Sequence, residues 1–100
     1  MLRTQTQDDL LRVTGLDALT SSNSTHFKEL VKARLEGHIR VVEVDCADLS
    51  FMDSVGLGAL VSVQKILTPR GGRLRLHNPR ANIRQFLEML NFQTLFDITP

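Results

Sequence analysis

Ser54 lies between Asp53 and Val55 in the run Phe51-Met52-Asp53-Ser54-Val55-Gly56-Leu57-Gly58. A hydroxyl beside a carboxylate, with two glycines close behind, admits three kinds of chemistry: nucleophilic attack, a phosphate cradle, or acceptance of a phosphoryl group. Attack needs a general base and an oxyanion device. No histidine is near Ser54 in the sequence, and the nucleophile elbow G-x-S-x-G is broken by Met52 at its first glycine. A phosphate-cradling loop would need Gly-Lys followed by Ser or Thr, which is absent after these glycines. Acceptance of a phosphoryl group fits better. Ser54 falls at a predicted strand-to-helix turn, where its hydroxyl is expected to cap the helix. The free N–H groups and the positive dipole end of a helix start stabilise added negative charge. Phosphorylation there is expected to spare the fold and change the surface, adding about two negative charges and three acceptor oxygens. A docked partner would be expelled by repulsion and desolvation. Gly56 and Gly58 are expected to leave the first turn bare enough for another molecule to approach the backbone. The plainer alternative is that Ser54 only caps the helix and the glycines only permit close packing.

The elements that must hold this turn alternate between strands and helices. Leu2 to Gln7 and Leu10 to Thr14 flank Asp8-Asp9 as a hairpin, with Leu11 and Val13 on one face. Thr20 to Ser24 is a loop ending in helix-capping residues, followed by Phe27, Leu30, Val31 and Leu35 at helical spacing, with Gly37 as the expected C-cap. Ile39 to Cys46 is β-branched and reads as a strand whose Val42, Val44 and Cys46 share a face. After Ser54 comes a helix that is apolar over most of its surface, stopped by Pro69 and Gly71-Gly72. Arg73 to His77 alternates, with Leu74 and Leu76 inward. Asn78-Pro79 is the expected start of a last helix with the stripe Ile83, Phe86, Leu87 and Leu90. Thr94 to Thr99 reads as a short turn or a final strand. Strand–helix–strand alternation implies parallel pairing with right-handed crossovers. The expected class is therefore α/β: a mixed sheet, with an N-terminal hairpin and parallel strands, on which helices pack.

Composition narrows the function. One hundred residues suit one domain with one core. Twelve basic residues against eleven acidic ones leave a net charge of +1, which argues against a protein built to grip nucleic acid. The five aromatic residues are all Phe, too few for base-stacking platforms. A single cysteine excludes an intrachain disulfide framework and a cysteine metal cage. No apolar run approaches the ~20 residues of a membrane span, and the N-terminus is too polar for a secretory leader. The expectation is a cytoplasmic domain with no cofactor, no metal and no membrane insertion, a monomer or at most a weak dimer.

Other residues carry weaker signals. Asp53 beside Ser54 is better read as shaping the loop than as a catalytic base. Asp17 lies on a loop that can approach the Ser54 turn, and a loop-capping Asp is an equal reading. His26, His38 and His77 have no ligand spacing. Cys46, alternating with Val44 and Val42, reads as a buried thiol. Residues 1–58 sum to −3 and residues 59–100 to +4. That asymmetry is either a solvated face or a contact surface for an acidic partner or a nucleotide phosphate.

The segment VDCADLSFMDSVGLGAL resembles the signature of the STAS-domain family, more narrowly that of bacterial anti-sigma factor antagonists (anti-anti-sigma factors). Leu16-Asp17, Gly71-Gly72-Arg73-Leu74 and the stretch from Leu90 to Phe96 fit the same family pattern, so the resemblance covers residues 1–100 as a single STAS domain. It implies a non-enzymatic phosphoprotein that regulates transcription by partner switching. The unphosphorylated form binds an anti-sigma factor that is also a serine kinase; phosphorylation at Ser54 releases it, and a metal-dependent serine phosphatase resets it. Asp17, Asp53, Ser54, Val55, Gly56, Leu57 and Gly58 are the partner-binding positions implied. Three departures stand out: Val55 where the family has Ser, Ala or Thr, Gly15 directly before Leu16, and Glu43 where an apolar strand residue is usual. The alternatives are a STAS subunit of a stress-sensing or lipid-transport complex, or a small-nucleotide-binding module, without a phospho-switch.

Overall fold

The computed structural model describes residues Met1–Pro100. Strands β1 (Arg3–Gln7) and β2 (Leu10–Thr14) form the expected antiparallel hairpin. Asp8 turns it with φ 54°, a left-handed conformation that Asp tolerates. Then follow β3 (Ala18–Leu19), α1 (Ser24–Arg34), β4 (Val41–Asp45), β5 (Phe51–Met52), α2 (Ser54–Leu67), a 3-10 turn (Thr68–Arg70), β6 (Arg73–His77), α3 (Ala81–Met89) and β7 (Asp97–Thr99).

The main sheet has the order β1-β2-β4-β6-β7, parallel everywhere except in the hairpin. Each crossover, from β2 to β4, β4 to β6 and β6 to β7, steps one strand in the same direction. Right-handed crossovers of that kind place all three helices on one face. Burial agrees. Leu11, Val13, Val42, Val44, Leu74 and Leu76 point to that face and are fully buried. They join Phe27 and Val31 of α1, Leu57, Leu60, Val63 and Leu67 of α2, and Ile83 and Leu87 of α3 in one cluster of 22 residues. The other face carries Arg12, Glu43, Arg75 and Asp97 side by side. Glu43, the residue out of place in the pattern, is buried there because Arg12 and Arg75 close over it, each 3.0 Å from one of its oxygens.

Several boundaries differ from expectation. Helix α1 ends at Arg34 with Leu35 as its cap, not Gly37, because the chain must turn back early to bring Ile39 fully into the core. Asn78-Pro79 does not open α3. The Asn78 amide donates to the Thr99 carbonyl at 2.8 Å, prolonging the β6–β7 ladder, and the helix starts only after Arg80. Leu90 falls past the helix end and is 43% exposed, so the buried stripe stops at Leu87. Strand β4 is shorter than Ile39 to Cys46, and two short strands, β3 and β5, add to the expected set.

Candidate functional site

The two-residue strands β3 and β5 pair in parallel, Ala18 with Phe51 and Leu19 with Met52. This small ribbon positions the start of α2. At one end the Asp17 carbonyl accepts from both the amide and the hydroxyl of Ser50, at 2.9 and 3.2 Å. Asn82 of α3 donates to the Ser50 carbonyl at 2.9 Å, and Arg80 to that of Ala47 at 3.0 Å, which ties the preceding loop down. At the other end the Asp53 amide donates to Leu19. The far end of α2 is fixed by buried Gln64, which accepts from the Leu74 amide of β6 at 2.8 Å and donates to the Gly72 carbonyl.

The cap of α2 is Asp53, not Ser54. Asp53 has extended backbone, and its Oδ1 accepts from the Gly56 amide at 2.8 Å. Its Oδ2 accepts from the Ser21 amide at 3.2 Å, joining the β3–α1 loop to the helix start. Asp is as good a cap as Ser, and with Gly56 three residues on it has the required spacing. Ser54 becomes the first helical residue and is exposed, with no side-chain partner within the chain. Freed from capping, its hydroxyl faces solvent at the positive end of the dipole, where the first amides lack intrahelical acceptors. Val55 beside it is 51% exposed, and Phe51, which alternates with buried Met52, is 58% exposed.

The seven implied contact positions separate in space. Asp53, Ser54, Val55 and Gly58 share the exposed start of α2. Gly56 and Leu57 do not: both are buried, and Leu57 belongs to the core. A Cβ on Gly56 would overlap the Leu19 carbonyl, so this glycine serves close packing of α2 on β3 and not access for another molecule. Around Gly58 there is open space, as expected. Asp17 is exposed but lies at the opposite end of the ribbon from Ser54. It also borders a hollow of about 340 Å³ with Asn23 and His26, to which Ser54 does not contribute. Pattern reading missed the Ser21 loop, whose link to Asp53 spans 32 positions, and the exposure of Phe51, which strand alternation with Met52 signals.

Other candidates resolve plainly. No group of three His, Cys, Asp or Glu side chains is placed to hold a metal. Cys46 is fully buried, and burial, with the nearby Asp45 charge, pushes its thiol up to about 12. Part of the basic C-terminal segment is engaged within the chain: Arg73 pairs with Asp97 at 2.9 Å and Arg75 with Glu43, while Arg70 donates to the Glu36 carbonyl. No helix is long and apolar enough to cross a membrane.

This arrangement has counterparts. The family described as "Mlab, STAS domain" matches residues 1–98. The chain belongs to the STAS domain family. The anti-sigma-B factor antagonist of Bacillus subtilis (strain 168) is 33% identical over 52 residues, covering 52% of this chain and 48% of that protein. The match thus spans about half the length of this curated relative. The crystal structure of tm1081 from Thermotoga maritima, assigned as an anti-sigma factor antagonist, superimposes with a TM-score of 0.90 at 22% identity, over 99% of this chain and 86% of that one. The Bacillus cell fate determinant SpoIIAA in its phosphorylated form gives 0.76 at 17% identity, over 100% and 92%. Its unphosphorylated form gives 0.76 at 18%, over 100% and 87%. In this STAS domain the F-M-D-S-V-G-L-G run is β5 and the first turn of α2. The hairpin and the three further parallel strands form the mixed sheet, and the three helices pack on it, as the alternation of elements implies.

Proposed function

We propose that this STAS domain is an anti-sigma factor antagonist switched by phosphorylation at Ser54. The unphosphorylated surface formed by Asp53, Ser54, Val55 and Gly58 binds an anti-sigma factor that is also a serine kinase and so frees the sigma factor. Transfer of a phosphoryl group to Ser54 ends the binding, and a metal-dependent serine phosphatase restores it. The chain is a regulator and not an enzyme on this reading, acting in the cytoplasm, and Asp17 contributes at the edge of the contact. The name of the curated relative and the likeness to SpoIIAA in both states support it.

The observation that carries the reading is the division of labour between two neighbours. Asp53 caps the helix, so Ser54 is free to be modified without loss of the cap. A phosphate beside Asp53 takes the local charge from −1 to about −3 on a surface that a partner must desolvate. It also turns the net charge from +1 to about −1. Added charge at the helix N-terminus does not oppose the dipole, so the fold should persist in both states.

The test uses purified serine-kinase anti-sigma factors from the source organism. Ser54→Ala should bind its kinase and stay bound with ATP present. Ser54→Glu should bind much more weakly with its melting temperature unchanged within a few degrees. Intact-mass and phosphosite analysis of protein from its own cells should place the phosphate on Ser54. Phosphate on another residue, or none under any condition, would move the assignment to a STAS subunit of a stress-sensing or lipid-transport complex without a phospho-switch.

A further inference from the structure

One face of the main sheet is left without a covering layer, since all three crossovers run on the other. One row of its side chains alternates in charge, while Arg73, two residues before Arg75 on the same face, lies outside that row in register with Val41. Across β2, β4, β6 and β7 the residues in register are Arg12, Glu43, Arg75 and Asp97, which read plus, minus, plus, minus. Two residues further along the same strands, on the same face, Asp45 is in register with His77 and His77 with Thr99. Arg12, Glu43, Asp45 and His77 border a hollow of about 250 Å³ with no apolar lining residue.

An alternating row of four has a symmetry property. Read backwards, it presents the opposite sign at every position. A two-fold axis parallel to the strands, above the line between β4 and β6, lays β2 over the second copy's β7 and β4 over its β6. Arg12 then faces Asp97 of the second copy, Glu43 faces Arg75, and Asp45 of the neighbouring row faces His77. Every charged position in the row meets its opposite twice, as an isologous contact requires. Sheets stack face to face at about 10 Å, within reach of extended arginines from both sides, and the hollow leaves room for their heads.

We propose that this uncovered face is a self-association surface that takes a second copy of the chain in this two-fold arrangement. The in-chain pairs limit its strength. Glu43 is already held by Arg12 and Arg75 at 3.0 Å, and Asp97 by Arg73 at 2.9 Å, so the second copy adds to satisfied charges. The dimer is therefore weak and weakens further with salt. Because α2 lies on the covered face, association leaves Ser54 accessible, and the proposal does not depend on the switch.

Sedimentation equilibrium of the full chain over a wide concentration range, at low and at high salt, is the first measurement. A monomer–dimer equilibrium that salt weakens is expected, and a monomer at every concentration in low salt would overturn the proposal. Charge exchange then tests the geometry. Arg12→Asp and Asp97→Arg alter half-exposed side chains. Each alone places like charges opposite one another at two sites and should weaken association by about tenfold or more. Mixed in equal amounts they should associate again, because position 12 of each chain then faces the opposite charge at position 97 of the other. A dimer indifferent to either variant, or a mixture no better than its components, would sink this arrangement. Should circular dichroism show either variant unfolded, Arg12→Gln and Asp97→Asn must each weaken the dimer for the proposal to stand.

Discussion

The Asp53 carboxylate accepts from the Ser21 amide at 3.2 Å while its other oxygen caps α2 through Gly56 at 2.8 Å. One side chain thus holds the β3–α1 loop against the turn that presents Ser54. The consequence is a separation of tasks, with Asp53 as the structural member and Ser54 as the chemical one. It also means that a change at Asp53 reaches stability and the shape of the surface together, whereas a change at Ser54 reaches the surface alone.

Replacing Asp53 by Ala should remove a cap and leave the Ser21 amide without its acceptor. The loss of stability should be about 1–2 kcal/mol, read as a lower urea midpoint with an unchanged slope. Asp53→Asn, which keeps an acceptor oxygen at the same place, should recover most of it. Equal losses for Ala and Asn would show that charge, and not capping, is what matters there.

The two glycines after Ser54 should behave oppositely. Alanine is favoured over glycine inside a helix by about 1 kcal/mol. At Gly58, where the added methyl meets open space, that preference should appear as a gain in melting temperature. At Gly56 the methyl would overlap the Leu19 carbonyl, so sterics should outweigh propensity and the variant should be clearly less stable. A stabilised Gly56→Ala would contradict the packing of α2 on β3.

Glu43 is buried, whereas Arg12 and Arg75 are partly exposed. Removing the acid lets both arginines return to water. Removing both arginines strands a buried carboxylate, a change that costs about 3–5 kcal/mol when nothing replaces the partner. Arg12→Ala combined with Arg75→Ala should therefore destabilise more than Glu43→Leu in thermal melts. The reverse order would mean that Glu43 gains access to water in the folded protein.

Cys46 should not react with a soluble disulfide reagent near pH 8 until the protein unfolds, since its thiol is fully buried and pushed up to about 12. The same shift sets a sign for alkaline stability. The thiol of the unfolded chain loses its proton near 9, that of the folded chain only near 12. Between these values the folded state holds more protons, so stability falls as pH rises, and below 9 this contribution is constant. Cys46→Ala, compared with the parent by urea titration from pH 8 to 11, should flatten that slope.

Much of this was legible in the chain because it follows from local periodicity. Alternation in Arg73 to His77 and the helical spacing of Phe27 and Val31 place β6 and the body of α1, since a strand or helix buried on one side must repeat at its own period. The hairpin was legible from Asp8-Asp9, and the family from F-M-D-S-V-G-L-G. The helix starts were less so. Serine and aspartate are both good caps, and Asp53-Ser54 offers them in succession. Only the position of the Gly56 amide, set by the packing of α2 on β3, decides between them.

What the sequence by itself determined is the hairpin, the three helices and the longer strands, their buried faces and the exposure of a serine at a helix start, all properties of neighbours a few residues apart. What only the tertiary structure decided involves residues far apart in the chain. Gly56 faces Leu19 and is closed to a partner, Asp53 holds Ser21, and Asp17 sits at the far end of the ribbon from Ser54. Arg12, Glu43, Arg75 and Asp97 stand in one row only because the crossovers all step the same way across the sheet. No local pattern encodes strand order, and it is strand order that turned four separated charges into a surface.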